Sequence, residues 1–368
     1  MTNGQQKDLV SQKQAKGSLR VALIASERTV REYSMFLQHI LVGLADESIP
    51  SVLICPPGFN PDSVFTGAAE VICHPVFNLP LMGRINIRLL TNRLAKFEPT
   101  IIHCLCESRA SLAKQLANRL DLPYVLMVNS LQKWWRHLSI STQYCERIVV
   151  PAKSLADNII KVFPRFAERI EQINIGAFVT EKSGCFSHPS RLTTIVMAGP
   201  SKKADEMENL FNVIRHLVIE RYEFMVVIVG GGRTERQMWK LLEALDLLRI
   251  VSIVPRQLPW RSILAAADIF IQPQPNYAFN PLLLQAMSVG AAVAGCTGGV
   301  DDLIIEDQTA AIFDPNDEVS IMRTLKQLLD RREFARRIAA NAQQHLKKHH
   351  SVSNMISSYL ELYNGIQK

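Results

Sequence analysis

Tyr277-Ala-Phe-Asn-Pro-Leu-Leu-Leu-Gln285-Ala-Met287 reads as a loop that runs into a buried helix. Pro281 stands in the first helical turn, where a missing amide hydrogen costs nothing. The helix continues through Leu282–Val289, and Gly290 follows it. Asp268-Ile-Phe-Ile271 upstream and Ala291–Gly295 downstream are short apolar strands. Strand, loop, helix and strand in that order describe one step of a parallel α/β sheet. In open sheets of this kind, ligands gather beyond the carboxyl ends of the strands, where helix N-termini offer amides to phosphate.

The same alternation recurs upstream. Toward the N-terminus lie Thr193-Thr-Ile-Val-Met-Ala198, a helix with Met207, Leu210, Phe211, Ile214, Leu217 and Val218 at helical spacing, then Phe224-Met-Val-Val-Ile-Val229 and Ile250–Val254. An earlier set comprises Leu19–Ala25, a helix through Tyr33–Ala45, Ser51-Val-Leu-Ile-Cys55, Thr100–Cys104, Tyr124–Val128 and Arg147–Val150. Continuous apolar runs suit parallel strands covered on both faces. Between the two sets, 180–190 is rich in turn residues and poor in aliphatics, as a linker would be. The expected division is a polar, disordered arm over 1–17, a domain over 18–179, the linker 180–190, a second domain over 191–350 and a closing helix within 351–368.

Composition narrows the class. A chain of 368 residues, 48% of them hydrophobic, is long enough for two cores. No apolar stretch has the length of a membrane span or of a signal-peptide core. Seven cysteines without a Cys-x-x-Cys read as reduced thiols of a cytoplasmic protein, and no metal site is expected, Cys104 and Cys106 included. A net charge of +7 favours anionic partners, and no motif reads nucleic acid.

The quoted stretch resembles the signature of retaining glycosyltransferases of family 4, in which Glu, seven residues and Glu-Ala-Met grip the donor sugar and its ribose. Phe279, the Leu-rich helix start, the Ala286-Met287 pair and Gly290 fall in register. Tyr277 and Gln285 stand where the two glutamates would be. The resemblance implies a GT-B fold: two Rossmann-like, doubly wound domains facing a cleft, with the C-terminal helix crossing back to the first domain. It also implies retaining transfer of a hexose from a UDP- or GDP-linked donor, with no metal and no cofactor.

Other positions carry the resemblance with changes. The phosphate segment Gly-Arg-Leu…Lys-Gly corresponds to Gly199-Pro200-Ser201-Lys202-Lys203, with Pro200 for the arginine. Lys202 or Lys203 would supply the second cation only with a shift of loop register; the alternative is a solvated lysine pair. Gly231 lies in Val229-Gly-Gly-Gly232, matching a strand-end Val-Gly-x-Gly, although triple glycine is also a common tight turn. Asp302 stands for the glutamate of Gly-Gly-x-x-Glu, or serves a helix dipole. Gln285 can still accept from a ribose hydroxyl, while Tyr277 fills part of the sugar pocket or offers a stacking face. The donor-side candidates are therefore Gly199, Lys203, Gly231, Tyr277, Phe279, Asn280 and Gln285; no catalytic residue is assigned.

On the acceptor side, Asn129 takes the place of a histidine and Trp134 belongs to the basic, aromatic run Gln132-Lys-Trp-Trp-Arg-His137. His103 reads as a core histidine. The first-strand turn, Ser26–Glu32, lacks the glycines that allow close backbone approach to a ligand. Leu81–Phe97 mixes Arg84, Arg88, Arg93 and Lys96 with an apolar stripe. Either basic segment suits peripheral contact with an anionic membrane or a lipid-linked acceptor, or is a solvated face. Tyr277, Gln285, Pro200, Asn129 and the glycine-free turn together favour the other reading, a catalytically degenerate homologue that binds nucleotide, sugar or a partner protein.

Overall fold

The computed structural model describes residues 18–59, 69–75, 80–133, 138–181, 184–187, 191–198, 204–230, 234–254 and 260–367. The arm 1–17, Gly199, Pro200, Lys202, Lys203, Gly231, Trp134 and part of the expected linker lie outside them. The chain divides into two compact units. One comprises the described residues up to Val150, Ile159–Ile173 and Ile356 onward; the other comprises Pro151–Asn158 and Asn174–Met355. Each unit is α/β, a parallel sheet with helices.

In the first unit seven strands form one sheet: β1 (Val21–Ile24), β2 (Ser51–Cys55), β3 (Glu70–Cys73), β4 (Ile101–Cys104), β5 (Tyr124–Met127), β6 (Cys145–Val150) and β7 (Ile170–Gln172). Their order is β3-β2-β1-β4-β5-β6-β7 and every pairing is parallel. β1, β2, β4 and β5 are buried along their whole length, which is why they read as unbroken apolar runs. The order reverses between β1 and β4, and this is the topological switch point of the sheet.

Residues from Ile356 onward belong to this unit as the greater part of the helix Val352–Ile366. Tyr359 and Tyr363 are buried, and the Tyr363 hydroxyl lies 2.6 Å from His103 Nδ1. Burial pushes the His103 imidazole down to about 3, so it is neutral at pH 7. Gly43 makes room for the same helix, since a Cβ there would come within 2.7 Å of Ile356.

The second unit repeats the plan with β8 (Thr193–Ala198), β9 (Phe224–Val229), β10 (Val251–Val254), β11 (Ile269–Ile271), β12 (Ala292–Gly295) and β13 (Ala311–Ile312). The order is β10-β9-β8-β11-β12-β13, again parallel, with the switch between β8 and β11. Ile195, Met197, Phe211, Val226, Ile228, Leu242, Ile269 and Leu325 sit in its core. The buried Asp268 carboxylate fixes the entrance of the sheet. It accepts from Thr194 N (2.9 Å), Phe186 N (2.7 Å) and the Arg191 guanidinium (2.8 Å). A charge so enclosed is tolerable because it is both paired and hydrogen-bonded.

Candidate functional site

The quoted stretch leaves β11 and enters the helix Pro281–Ser288, with Asn280 as its N-cap. Asn280 Oδ1 accepts from Leu282 N (3.1 Å) and Leu283 N (3.2 Å), and its amide group donates to Gln272 Oε1 (2.9 Å). Pro281 has no N–H to offer. The first-turn donors of this helix are thus taken up within the chain, and a phosphate would have to draw on other amides of the loop.

Phe279 is 2% exposed and its ring stacks on the His350 imidazole, with centroids 6.4 Å apart and planes 28° from parallel. His350 is itself buried, and its Nδ1 donates to Ile175 O at 2.9 Å. Burial outweighs that hydrogen bond and pushes the imidazole down to about 4. Tyr277, by contrast, is 58% exposed, so its ring presents a face to solvent. Gln285 is half-buried on the first turns of the helix.

A second loop is stitched to the first. Asn276 O accepts from Val300 N at 2.6 Å, and Asn276 Oδ1 accepts from Ala278 N at 3.1 Å. Gly299 faces Asn276 so closely that a Cβ would come within 2.3 Å of its carbonyl oxygen. Gly298 holds φ at +105° and donates its N–H to Asp301 Oδ2 at 3.0 Å. Asp302 does not begin a helix of its own. Its carboxylate accepts from Ser154 N at 3.0 Å and from the Ser154 hydroxyl, at the start of the helix Lys153–Val162. That is a dipole-compensating role served on another segment.

Tyr277, Phe279, Asn280 and Gln285 are therefore gathered on one loop and helix beyond β11. Gly199, Lys203 and Gly231 come in sequence just after β8 and β9, which end at the same edge of this sheet, but they lie outside the described residues.

A separate cavity of about 830 Å³ opens at the switch point of the first sheet. The stretch expected as a turn after β1 is instead a short helix, Glu27–Glu32, capped by Ser26 through a reciprocal bond with Thr29. The capping box draws on the Ser26 and Thr29 hydroxyls, which is why the glycine-free sequence is at ease there. Beyond β4, Cys106 caps the turn Glu107–Arg109, which leads into the helix Ala110–Leu120. Glu107 accepts from Asn129 N (3.1 Å) and from the Ser130 hydroxyl, and Asn129 Nδ2 donates to Leu105 O at 3.0 Å.

Asn129 lines this cavity at 4% exposure, and its Oδ1 has no partner among the described residues. A buried acceptor left open in a cavity wall is suited to a ligand hydroxyl. Cys106 lies in the same wall, with the Ser108 hydroxyl donating to its sulfur at 3.4 Å. Hydrogen bonding from Cys104, then from Ser108, Ser26 and Thr29, outweighs burial and holds this thiol at about 6. His350 did not stand out in the sequence, and Cys106 was read only as a reduced thiol beside Cys104, whereas it lies just past the end of β4.

Two parallel α/β sheets, each with a switch point, are the plan of the GT-B fold. The family model described as Glycosyl transferases group 1 matches residues 181–345. The chain is 20% identical over 308 residues to the sulfoquinovosyl transferase of Arabidopsis thaliana, covering 77% of this chain and 60% of that protein. It thus spans less than two thirds of that relative's length. It is 24% identical over 324 residues to the uncharacterized glycosyltransferase YqgM of Bacillus subtilis (strain 168), covering 83% and 88% of the two chains. Among solved structures it is similar to HepE of Anabaena in complex with UDP-glucose, with a TM-score of 0.78, 13% identity and coverage of 94% and 100%.

Proposed function

We propose that the chain takes a nucleoside-diphosphate sugar at the loop Tyr277–Asn280 and the helix after it, and transfers the hexose with retention to an acceptor held in the first unit. The observation that carries the reading is the stitched pair of loops, Asn276–Ala278 and Gly298–Val300, fixed beyond β11 inside the segment that matches the family. The UDP-glucose complex of HepE supports a uridine donor. In this reading Gly199, Lys203 and Gly231 flank the diphosphate, and Gln285 meets the ribose. Tyr277 covers the sugar where a carboxylate would otherwise stand. Asn129 Oδ1 receives the acceptor's hydroxyl, which positions it without exchanging a proton at neutral pH.

A non-catalytic reading is favoured by one specific observation: the acids near the loop are either replaced or already engaged. Tyr277 and Gln285 offer no carboxylate, and Asp302 is spent on Ser154. Catalysis needs contacts that strengthen in the transition state, and neutral side chains supply fewer of them. Calorimetric titration with UDP, GDP and ADP, followed by turnover assays with UDP-glucose and GDP-mannose, separates the readings. Binding with turnover supports the transferase, binding alone supports a degenerate nucleotide-binding homologue, and no binding overturns the transferase and points to a partner-binding role.

Peripheral contact with an anionic bilayer is supported by the helix Pro80–Phe97. Met82, Ile85 and Leu89 are 53%, 61% and 62% exposed along it, with Arg84 and Arg88 among them. Arg93 is instead paired with Glu70 at 3.0 Å. No helix among the described residues is long and apolar enough to cross a membrane.

A further inference from the structure

Two cysteines that the proposed reaction does not use face each other at the edge of the first sheet. β2 and β3 run parallel with Cys55 opposite Cys73, and the two sulfurs are 3.9 Å apart. Both residues end their strands, and β3 is the outermost strand of its sheet. Neighbouring strands lie about 4.8 Å apart, which falls within the roughly 4.4–6.8 Å between Cα atoms that a disulfide accepts. Paired residues of a parallel ladder present their side chains on the same face. The sulfurs therefore need only side-chain rotation to close to about 2.0 Å. Cys73 is exposed, whereas Cys55 is buried. The ladder continues past them, with His74 N donating to Cys55 O at 2.8 Å, so the pair is held in register.

We propose that Cys55 and Cys73 form an oxidisable pair, closed to a disulfide by a low-molecular-weight disulfide that reaches Cys73 from solvent. The Cys73 thiolate attacks one sulfur of the small disulfide, and one small thiolate leaves. Cys55 then gives its proton to water and attacks Cys73 Sγ, expelling the second small thiolate. Two protein thiols are oxidised and one small disulfide is reduced to two thiols. Burial, followed by the neighbouring Cys73, pushes the Cys55 thiol up to about 12, which makes closure the slower step. Once closed, the bond ties the edge strand to β2 beside the ligand-facing end of the sheet.

The test uses the full chain, reduced and then treated with oxidised glutathione, and maps its cysteines by non-reducing digestion and mass spectrometry. The expected result is a cross-linked peptide joining Cys55 and Cys73, lighter than its two parts by two hydrogens and released by dithiothreitol. Cys73→Ser should abolish it while unfolding at the temperature of the reduced wild type within error, which establishes that the variant is folded. A stable mixed disulfide left on Cys73 would overturn the proposal, because Cys55 would then be unable to resolve it. So would oxidation that leaves both residues as free thiols, or that joins either of them to a different cysteine.

Discussion

The Phe279 ring lies on the His350 imidazole at 6.4 Å between centroids, joining the candidate donor loop to a residue 71 positions later in the chain. Below Phe279 there is thus a neutral, buried base where the sequence shows only the end of a polar helix.

That base makes stability depend on acid. His350 is pushed down to about 4 and His103 to about 3, both by burial, while an unfolded histidine titrates near 6.5. Between those values the unfolded chain holds more protons than the folded one. Their contribution is therefore complete above pH 6.5 and is lost as pH falls toward 4, at about 1.4 kcal/mol per pH unit for each histidine. Urea unfolding midpoints between pH 7 and 4 should fall accordingly. His350→Gln, which keeps a donor for Ile175 O, should flatten the fall; an unchanged slope would remove His350 from the account.

Restoring the acids should strengthen the grip on the donor. Tyr277→Glu with Gln285→Glu is expected to tighten UDP-glucose or GDP-mannose binding by ~1–2 kcal/mol, the difference between charged and neutral hydrogen bonds. Titration calorimetry of both proteins checks this. Turnover need not follow, since Pro200 and Asn129 are unchanged. If the wild type already turns over either donor at ordinary enzyme rates, the degenerate reading fails.

Cys106 should be the thiol most reactive near neutrality. Held at about 6, it is a thiolate at pH 7, whereas burial keeps Cys145, Cys185 and Cys296 near 12 and therefore protonated. Iodoacetamide labelling followed by peptide mass should show Cys106 modified first, with its rate rising through pH 6. A rate that rises only above pH 8 would contradict the placement of its hydrogen-bond donors.

The exposed stripe of the helix Pro80–Phe97 predicts membrane affinity. Ile85→Ser with Leu89→Ser should lower co-sedimentation with phosphatidylglycerol vesicles at least tenfold, since inserting each aliphatic side chain is worth roughly 1.5–3 kcal/mol. Neither residue is buried, so the melting temperature should not move. Equal binding by wild type and variant would assign this face to solvent.

Much of the fold was legible because its central strands are buried on both sides. Ser51–Cys55, Thr193–Ala198 and Phe224–Val229 are strands with the boundaries their apolar runs indicate. β3, β7 and β13 escaped notice for the opposite reason. Glu70 and Cys73 of β3 and Gln172 of β7 face solvent at sheet edges, and β13 has two residues. The loop Tyr277–Asn280 and its helix were equally readable, as a local motif. What could not be read was long-range partnership: Asp302 with Ser154, or Asn129 with Glu107 and Leu105. Periodicity records which way a side chain faces, not which distant group it meets.

The contact between Gly299 and Asn276 bears on how this protein can be re-engineered. A methyl group at 299 would sit inside the van der Waals radius of a carbonyl, which no side-chain adjustment relieves. A loop transplanted from a relative in place of 272–280 would therefore inherit a mismatch unless 298–300 travelled with it. The transferable module is the two loops together, and libraries that diversify one alone should return mostly insoluble clones.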